Sequence, residues 1–271
     1  MIMATAQSKR ALFRELHQSG CFVLPNPWDV GSAVALESLG FKALASTSAG
    51  MAWAMGKADN RVTRDEVLAH LATLTARTTV PVNADFENGF AVDPAGVAEN
   101  VAMAVDTGVA GLSIEDSTGD AAEPLFAFDL AVRRIAAARA AIDATGEDVI
   151  LTARSEGFIT GRPDLDETVR RLVAFSEAGA DCLYAPGLRT EDQIAAVVAA
   201  VSPKPVNVLT PGLAVAALAA LGVRRISVGG SLARVAWGAF LASAKAIQET
   251  GDFGSFAAGA SGGELNRMFG G

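Results

Sequence analysis

Residues Val80 to Phe90 read V-P-V-N-A-D-F-E-N-G-F. A short apolar run behind a proline has the signature of a buried strand, and Asp85 and Glu87 fall where that strand should end. On an extended chain, side chains two residues apart project to the same side. Two carboxylates so placed can hold a divalent cation, because hard cations such as magnesium take oxygen ligands from carboxylates, substrate and water. Taken alone, one D-x-E followed by Gly89 reads better as a solvated acidic turn. The balance shifts because other polar groups recur at equivalent strand ends.

Working outward, short apolar runs alternate with alanine-rich helical segments. Strands are expected near Phe22–Leu24, Ala43–Ser46, Val80–Ala84, Gly111–Ile114, Val149–Ala153, Cys182–Tyr184, Val206–Leu209 and Arg225–Val228. Helices are expected near Asp29–Leu39, Thr63–Thr78, Asp93–Thr107, Phe128–Thr145, Asp164–Ala178, Thr190–Val201, Gly212–Leu221 and Ser231–Thr250, several opening on a capping Asp or Thr. Gly40, Gly108, Gly146, Gly179 and Gly222 each close a helix before the next strand. Eight strand-then-helix units predict an α/β fold, a (β/α)8 TIM-type barrel, because parallel strands need crossover helices and a closed sheet has no edge. A doubly wound open sheet is the alternative. Residues 1–20 are read as an N-terminal amphipathic helix, 21–250 as the barrel, and 251–271 as a C-terminal extension of a Gly/Ala/Ser-rich connector and a short amphipathic helix that docks on its own or a neighbouring subunit.

Composition excludes several classes. A net charge of -8 gives no electrostatic attraction to nucleic acid or to an anionic membrane. No apolar stretch is long enough to span a bilayer, and the N-terminus lacks the apolar core of a signal peptide, so a cytoplasmic location is expected. Cys21 and Cys182 lack metal-ligand spacing and read as packing residues. His17 and His70 are expected as surface or capping residues on helices, and Trp28, Trp53 and Trp237 as packing, with Trp53 a possible pocket wall.

In such a barrel the active site lies at the C-terminal ends of the strands. Thr47, Ser48, Ala49 and Gly50 follow the second strand, Asp85 and Glu87 the third, Glu115 and Asp116 the fourth, and Arg154 and Glu156 the fifth. Asn207, Thr210 and the pair Gly229-Gly230 follow the last two. A cation at the carboxylates would hold an anionic oxygen, and Arg154 could grip a substrate carboxylate as a two-pronged fork. Small residues at Ser48 to Gly50 would let backbone N–H groups approach a second anionic oxygen. Asn207 is a further candidate substrate contact. The competing reading makes Arg154 a structural partner of Asp116 or Glu115.

At these residues the chain resembles the isocitrate lyase and phosphoenolpyruvate mutase superfamily. The matches are L-P-N-P-W-D-V-G-S-A (24–33), S-T-S-A-G (46–50), N-A-D-F-E-N-G-F (83–90), S-I-E-D-S (113–117), T-A-R-S-E-G-F (152–158) and E-A-G-A-D (177–181). The resemblance implies a magnesium-assisted barrel enzyme, with manganese as the alternative ion, that makes or breaks a C–C or P–C bond next to a 2-oxo acid. It implies that Asp85 ligates the metal directly, that Asp59, Glu87 and Glu115 hold it largely through water, that Arg154 binds the substrate carboxylate, and that Thr47 to Gly50 cradle the oxyanion. It also implies a homo-oligomer, a tetramer or a dimer with exchanged C-terminal helices.

The departures narrow the chemistry. Isocitrate and methylisocitrate lyases carry a K-[KR]-C-G-H loop after the fourth strand, whereas Ser117–Phe126 reads S-T-G-D-A-A-E-P-L-F. Phosphoenolpyruvate mutase uses a loop asparagine and a histidine after the sixth strand, where this chain has Ala185-Pro186-Gly187. What remains is a branch similar to oxaloacetate decarboxylases and dialkylmalate lyases. The expected activity is a magnesium-dependent C–C lyase or decarboxylase of a small 2-oxo or 2-hydroxy carboxylic acid acting through an enolate. A phosphonopyruvate-type mutase or hydrolase and a non-catalytic 2-oxo acid binder are the alternatives. Glu115, Asp120 and Glu123 are candidate general acids or bases.

Overall fold

The computed structural model describes residues 4–209 and 212–270. Eight parallel strands run in the order β1, β8, β7, β6, β5, β4, β3, β2. They are β1 (Phe22–Leu24), β2 (Leu44–Ala45), β3 (Val82–Asp85), β4 (Gly111–Glu115), β5 (Ile150–Arg154), β6 (Cys182–Tyr184), β7 (Val206–Leu209) and β8 (Arg225–Ser227). The Ala45 N–H donates to the Pro25 carbonyl at 3.0 Å across the remaining seam between β1 and β2. The result is a nearly closed (β/α)8 barrel, as the alternating pattern predicts.

The helices are α1 (Ala6–Leu16), α2 (Val30–Ser38), α3 (Ser48–Ala54), α4 (Arg64–Arg77), α5 (Pro94–Asp106), α6 (Phe128–Thr145), α7 (Leu165–Glu177), α8 (Glu191–Val201), α9 (Val215–Ala220), α10 (Ser231–Thr250) and α11 (Gly262–Met268). Thr63 and Thr190 start α4 and α8 as capping boxes with Glu66 and Gln193. Gly108, Gly179 and Gly222 leave their helices at φ of +85°, +105° and +86°, a conformation that a side chain rarely tolerates. The core lies between strands and helices, where Leu112, Ile114, Leu151, Leu172 and Phe175 are wholly buried. Among the described residues no helix is long and apolar enough to cross a membrane.

α1 plugs the N-terminal end of the barrel. Phe13 is fully buried among Leu24, Ala43, Ile150 and Cys182. A Cβ at Gly111 would lie 2.6 Å from its ring, so only glycine lets the plug seat. Lys9 donates to the Thr75 carbonyl at 2.7 Å, and Arg10 donates to the carbonyls of Val105 and Val109 at 2.8 and 3.1 Å, neutralising helix C-termini.

His17, expected at the surface, is buried beneath the barrel. Its ring packs edge-on against Phe13 and Phe22. Burial, together with the Arg225 charge, holds its pKa down at about 3, so the ring is neutral. His70 is half-buried on α4.

Candidate active site

Alternation of two turns the strand sequences into two inward layers. The deep layer contains Asn83, Thr152, Asn207 and Arg225. The upper layer, at the C-terminal ends, contains Asp85, Glu115, Arg154 and Tyr184. Register places Glu115 beside Arg154 and Arg154 beside Tyr184. The third strand begins at Val82 and includes Asp85 as its last residue, two residues later than the sequence expectation at its start.

Asp85 is held from two sides. Its Oδ2 accepts the Ser48 N–H at 2.9 Å, and its Oδ1 meets Arg154 Nη1 at 2.6 Å. Its own N–H donates to Ser46 Oγ at 2.8 Å. The Ser48–Gly50 segment, expected as a loop, is the first turn of α3, with Thr47 as N-cap accepting from the Gly50 N–H. A helix start presents its first N–H groups outward, and here the Ser48 N–H already serves an anion, the Asp85 carboxylate. A Cβ at Gly50 would lie 2.7 Å from Thr47 Cγ2 and 2.8 Å from Trp28 Cβ, so Gly50 is required by close packing. Trp53 does not reach the cavity beside Asp85. It rests on Gly230 and faces a groove lined by Trp237 and Leu241.

Arg154 is committed to three carboxylates: Asp85 at 2.6 Å, Glu115 at 3.1 Å and Glu156 at 2.8 Å. A guanidinium has five N–H donors, so two remain for a ligand. Glu156, which sequence reasoning placed at the strand end without a role, is the partner of Nε. Asp116 pairs with Arg171 rather than Arg154, at 3.2 Å, and accepts the Glu156 N–H at 2.8 Å. Arg171 also donates to the Phe126 carbonyl at 3.0 Å, tying down the base of the loop after β4. That loop is a short hairpin bridged at Ser117 and Leu125. Asp120 and Glu123 on it are exposed and do not line the cavity at Asp85. Glu123 lines a separate cavity of about 480 Å³.

The acidic side is short of positive charge. Glu87 sits in a left-handed conformation at φ +46° and is 7% exposed. Its Oε1 has no hydrogen-bond partner among the described residues. Burial, then Asp85 and Asp59, push its carboxyl up to about 8. Desolvation and the Asp85 charge also raise Asp59. Glu115 is raised chiefly by burial, against the pull of Arg154.

These observations fit a divalent cation. An orphaned buried carboxylate oxygen and two carboxyls raised by burial and then by neighbouring negative charge are relieved by added positive charge. Among the described residues no three His, Cys, Asp or Glu side chains form an all-protein metal cage. Magnesium in general is held by one or two carboxylates and keeps several waters.

The cavity beside Asp85, about 220 Å³, is lined by Thr47, Ser48, Ala49, Asp59, Asp85 and Arg154 above, and reaches Asn83, Asn207 and Arg225 below. Asn207 is 1% exposed and engaged within the barrel: its Nδ2 donates to Ser227 Oγ and its Oδ1 accepts from Arg225 Nε, at 3.0 and 2.8 Å. Arg225 also donates to Thr152 Oγ1 at 3.2 Å, with no carboxylate among its partners. Sequence reasoning missed both Arg225 and Tyr184. Inward position by period two was the available signal. Glu115 is paired and buried and does not border this cavity. Thr210 lies outside the described residues.

A parallel barrel with clustered carboxylates and one arginine at its strand ends defines an enzyme of the barrel class. The family described as phosphoenolpyruvate phosphomutase matches residues 13–248, and the chain belongs to it. An uncharacterised protein of Mycobacterium tuberculosis (strain ATCC 25618 / H37Rv) is 37% identical over 80% of this chain and 81% of its own length. A crystal structure described as a lyase/mutase from Burkholderia cenocepacia J2315 is 48% identical, with a TM-score of 0.95 over 98% of this chain and 97% of that one. The structure of 2,3-dimethylmalate lyase, described as a member of the PEP mutase/isocitrate lyase superfamily, is 26% identical with a TM-score of 0.85, covering 100% and 96%. A phosphonopyruvate hydrolase in complex with oxalate and Mg++ is 26% identical with a TM-score of 0.85, covering 97% and 95%. The chain belongs to the isocitrate lyase/PEP mutase superfamily, in the branch without the K-[KR]-C-G-H loop.

Proposed function

We propose that the protein is a magnesium-dependent C–C lyase or decarboxylase of a small 2-oxo or 2-hydroxy carboxylic acid. The observation that carries the reading is Asp59 and Asp85 with Arg154 in the lining of a cavity sized for a small acid, with Glu87 near enough for the Asp85 and Asp59 charges to raise its carboxyl. Asp85 would ligate the ion, with Asp59 and Glu87 acting through water, while Glu115, which the resemblance also assigns to the metal, is instead paired with Arg154. When bound, magnesium supplies Lewis-acid stabilisation of the charge that develops on the 2-oxo oxygen. The two free N–H groups of Arg154 orient the substrate carboxylate, since a guanidinium does not transfer protons. At the start of α3 the Ser48 N–H is given to Asp85 and the Gly50 N–H to Thr47, which leaves the Ala49 N–H as the donor for the oxyanion end. Asn207 acts from below by holding Arg225.

A phosphonate reading is less well supported. A phosphonyl dianion at the strand ends would meet Arg154 already serving three carboxylates, while Arg225, a cation with no carboxylate partner among the described residues, lies in the deep layer below. Proton NMR of the purified protein with magnesium and oxaloacetate, dimethylmalate, 2-methylisocitrate or phosphonopyruvate tests the assignment. Magnesium-dependent release of a 2-oxo acid by C–C cleavage supports it. Turnover of phosphonopyruvate alone sinks it.

The acidic cluster gives the metal-free protein a pH signature. Glu87 binds its proton more tightly folded, at about 8, than its ordinary 4.5, so unfolding releases protons between these values and stability falls as pH rises across that window. The metal-free thermal midpoint should be lower at about pH 8.5 than at about pH 6. Glu87→Gln should flatten that difference, and magnesium should raise the midpoint more at the higher pH. A midpoint unaffected by magnesium at either pH would remove the cation from this site.

The chain also carries a long helix, α10, whose exposed apolar side chains suit it to self-association. Val235, Phe240 and Leu241 on α10 are 71%, 60% and 59% exposed, and Phe253 and Phe256 beyond it are equally open. Patches of this kind mark interfaces. α11 docks on its own subunit, with Phe269 against Gly31 of α2. The proposed state is a homo-oligomer exchanging α10, so sedimentation should report a multiple of 27.8 kDa. A monomer at micromolar concentration would contradict it.

A further inference from the structure

Cleavage to an enolate leaves a carbanion equivalent that must be protonated before release. The general acids expected from sequence do not meet that need: Glu115 is sealed against Arg154, and Asp120 and Glu123 point to other surroundings. The cavity-lining side chains that carry an ionisable proton are Asp59, Asp85, Arg154, Arg225 and Tyr184. Asp85 is clamped by Arg154 and the Ser48 N–H, Asp59 belongs to the acidic, cation-facing side, and arginines do not deprotonate.

Tyr184, the only tyrosine in the chain, closes β6 between Arg154 on β5 and Asn207 on β7. It is 8% exposed and borders the cavity, with the Arg154 guanidinium 5.2 Å from its ring centre. We propose that Tyr184 is the general acid that protonates the enolate carbon, an assignment that rests on the lyase reading above. The phenol O–H bond breaks as a C–H bond forms at C3, giving the 2-oxo acid. The phenolate left behind sits beside Arg154 and recovers a proton from water. Burial pushes the hydroxyl up to about 12, which keeps it protonated at neutral pH. Its place on a strand, packed under a guanidinium that is itself fixed by three carboxylates, holds the donor rigid.

The test compares wild type with Tyr184→Phe, which keeps the ring and removes the proton. Magnesium-dependent exchange of the C3 hydrogens of pyruvate and 2-oxobutyrate with D2O is followed by NMR, and magnesium-dependent oxalate binding is followed by calorimetry. The expected result is exchange by wild type, a loss of at least about 100-fold in the variant, and an oxalate Kd within about 3-fold of wild type. Exchange by the variant at the wild-type rate overturns Tyr184 as the acid and leaves the enolate reading standing. Loss of oxalate binding in the variant also overturns it, making the side chain part of the binding frame. Wild type that binds oxalate without exchange overturns proton transfer by Tyr184. Wild type that does neither overturns the lyase reading and this assignment together.

Discussion

Asp85→Ala is expected to lower kcat/KM by at least about 1,000-fold, roughly 4 kcal/mol of transition-state stabilisation, in a protein that remains folded. The side chain joins three parts of the site: the start of α3 through Ser48, the Arg154 guanidinium, and the acidic cluster around Glu87. Its loss removes the proposed direct metal ligand and leaves Arg154 paired with Glu115 and Glu156, so the strand ends keep their charge balance. It also relieves Glu87 of one neighbouring charge, which lowers that carboxyl. Asp85→Asn keeps the shape and an acceptor for Ser48 but loses the charge, and should fail as badly. Magnesium titration followed by calorimetry should show loss of binding in both variants, with circular dichroism unchanged. A folded Asp85→Ala protein with ordinary turnover would remove Asp85 from the chemistry.

Arg154→Met should have the largest effect on stability, about 3–5 kcal/mol. The guanidinium neutralises three carboxylates buried at neighbouring strand ends, and a thioether leaves them to repel one another. The folded carboxyls of Glu115 and Glu156, already raised by burial, then rise further above those of the unfolded chain. The folded state binds the extra protons, so the loss is greatest at high pH and shrinks as pH falls toward the ordinary carboxylate range. Arg154→Lys keeps the charge but cannot bond three partners in one plane, and should fall between. Urea unfolding of the metal-free proteins at about pH 5 and about pH 8 measures the effect. A pH-independent loss below about 1 kcal/mol would show that the three carboxylates do not depend on Arg154.

Much of the barrel was legible because its signals are local. Four strand spans, Phe22–Leu24, Cys182–Tyr184, Val206–Leu209 and, to within one residue, Arg225–Ser227, follow from apolar runs bounded by turn residues. The helix starts at Asp29, Thr63, Asp164 and Thr190 follow from side chains that satisfy free N–H groups within three residues. The residues that end on the rim, Asp85, Glu115 and Arg154, were legible for the same reason. Once a strand end is located, its last inward side chain is known.

The sequence by itself determined eight βα units, the acidic and arginine groups at the strand ends, and the family to which they belong. It could not show how those groups divide their partners. Arg154 bonds three carboxylates brought from three strands 69, 39 and 2 residues away, and such pairing is decided by register and barrel closure. The Ser48–Ala54 helix was hidden because seven small or apolar residues carry too weak a period to distinguish a turn from a loop. His17 was misplaced because only the packed plug reveals Arg225 and two phenylalanine rings around it. Tyr184 went unremarked for a related reason. Along the chain it is an aromatic residue two places after Cys182; period two puts it on the inward face, but only closure of the sheet brings it to the cavity that Asp85 and Arg154 share. Local propensity acts within a few residues, whereas a site lined from seven strands depends on contacts between positions far apart in the chain.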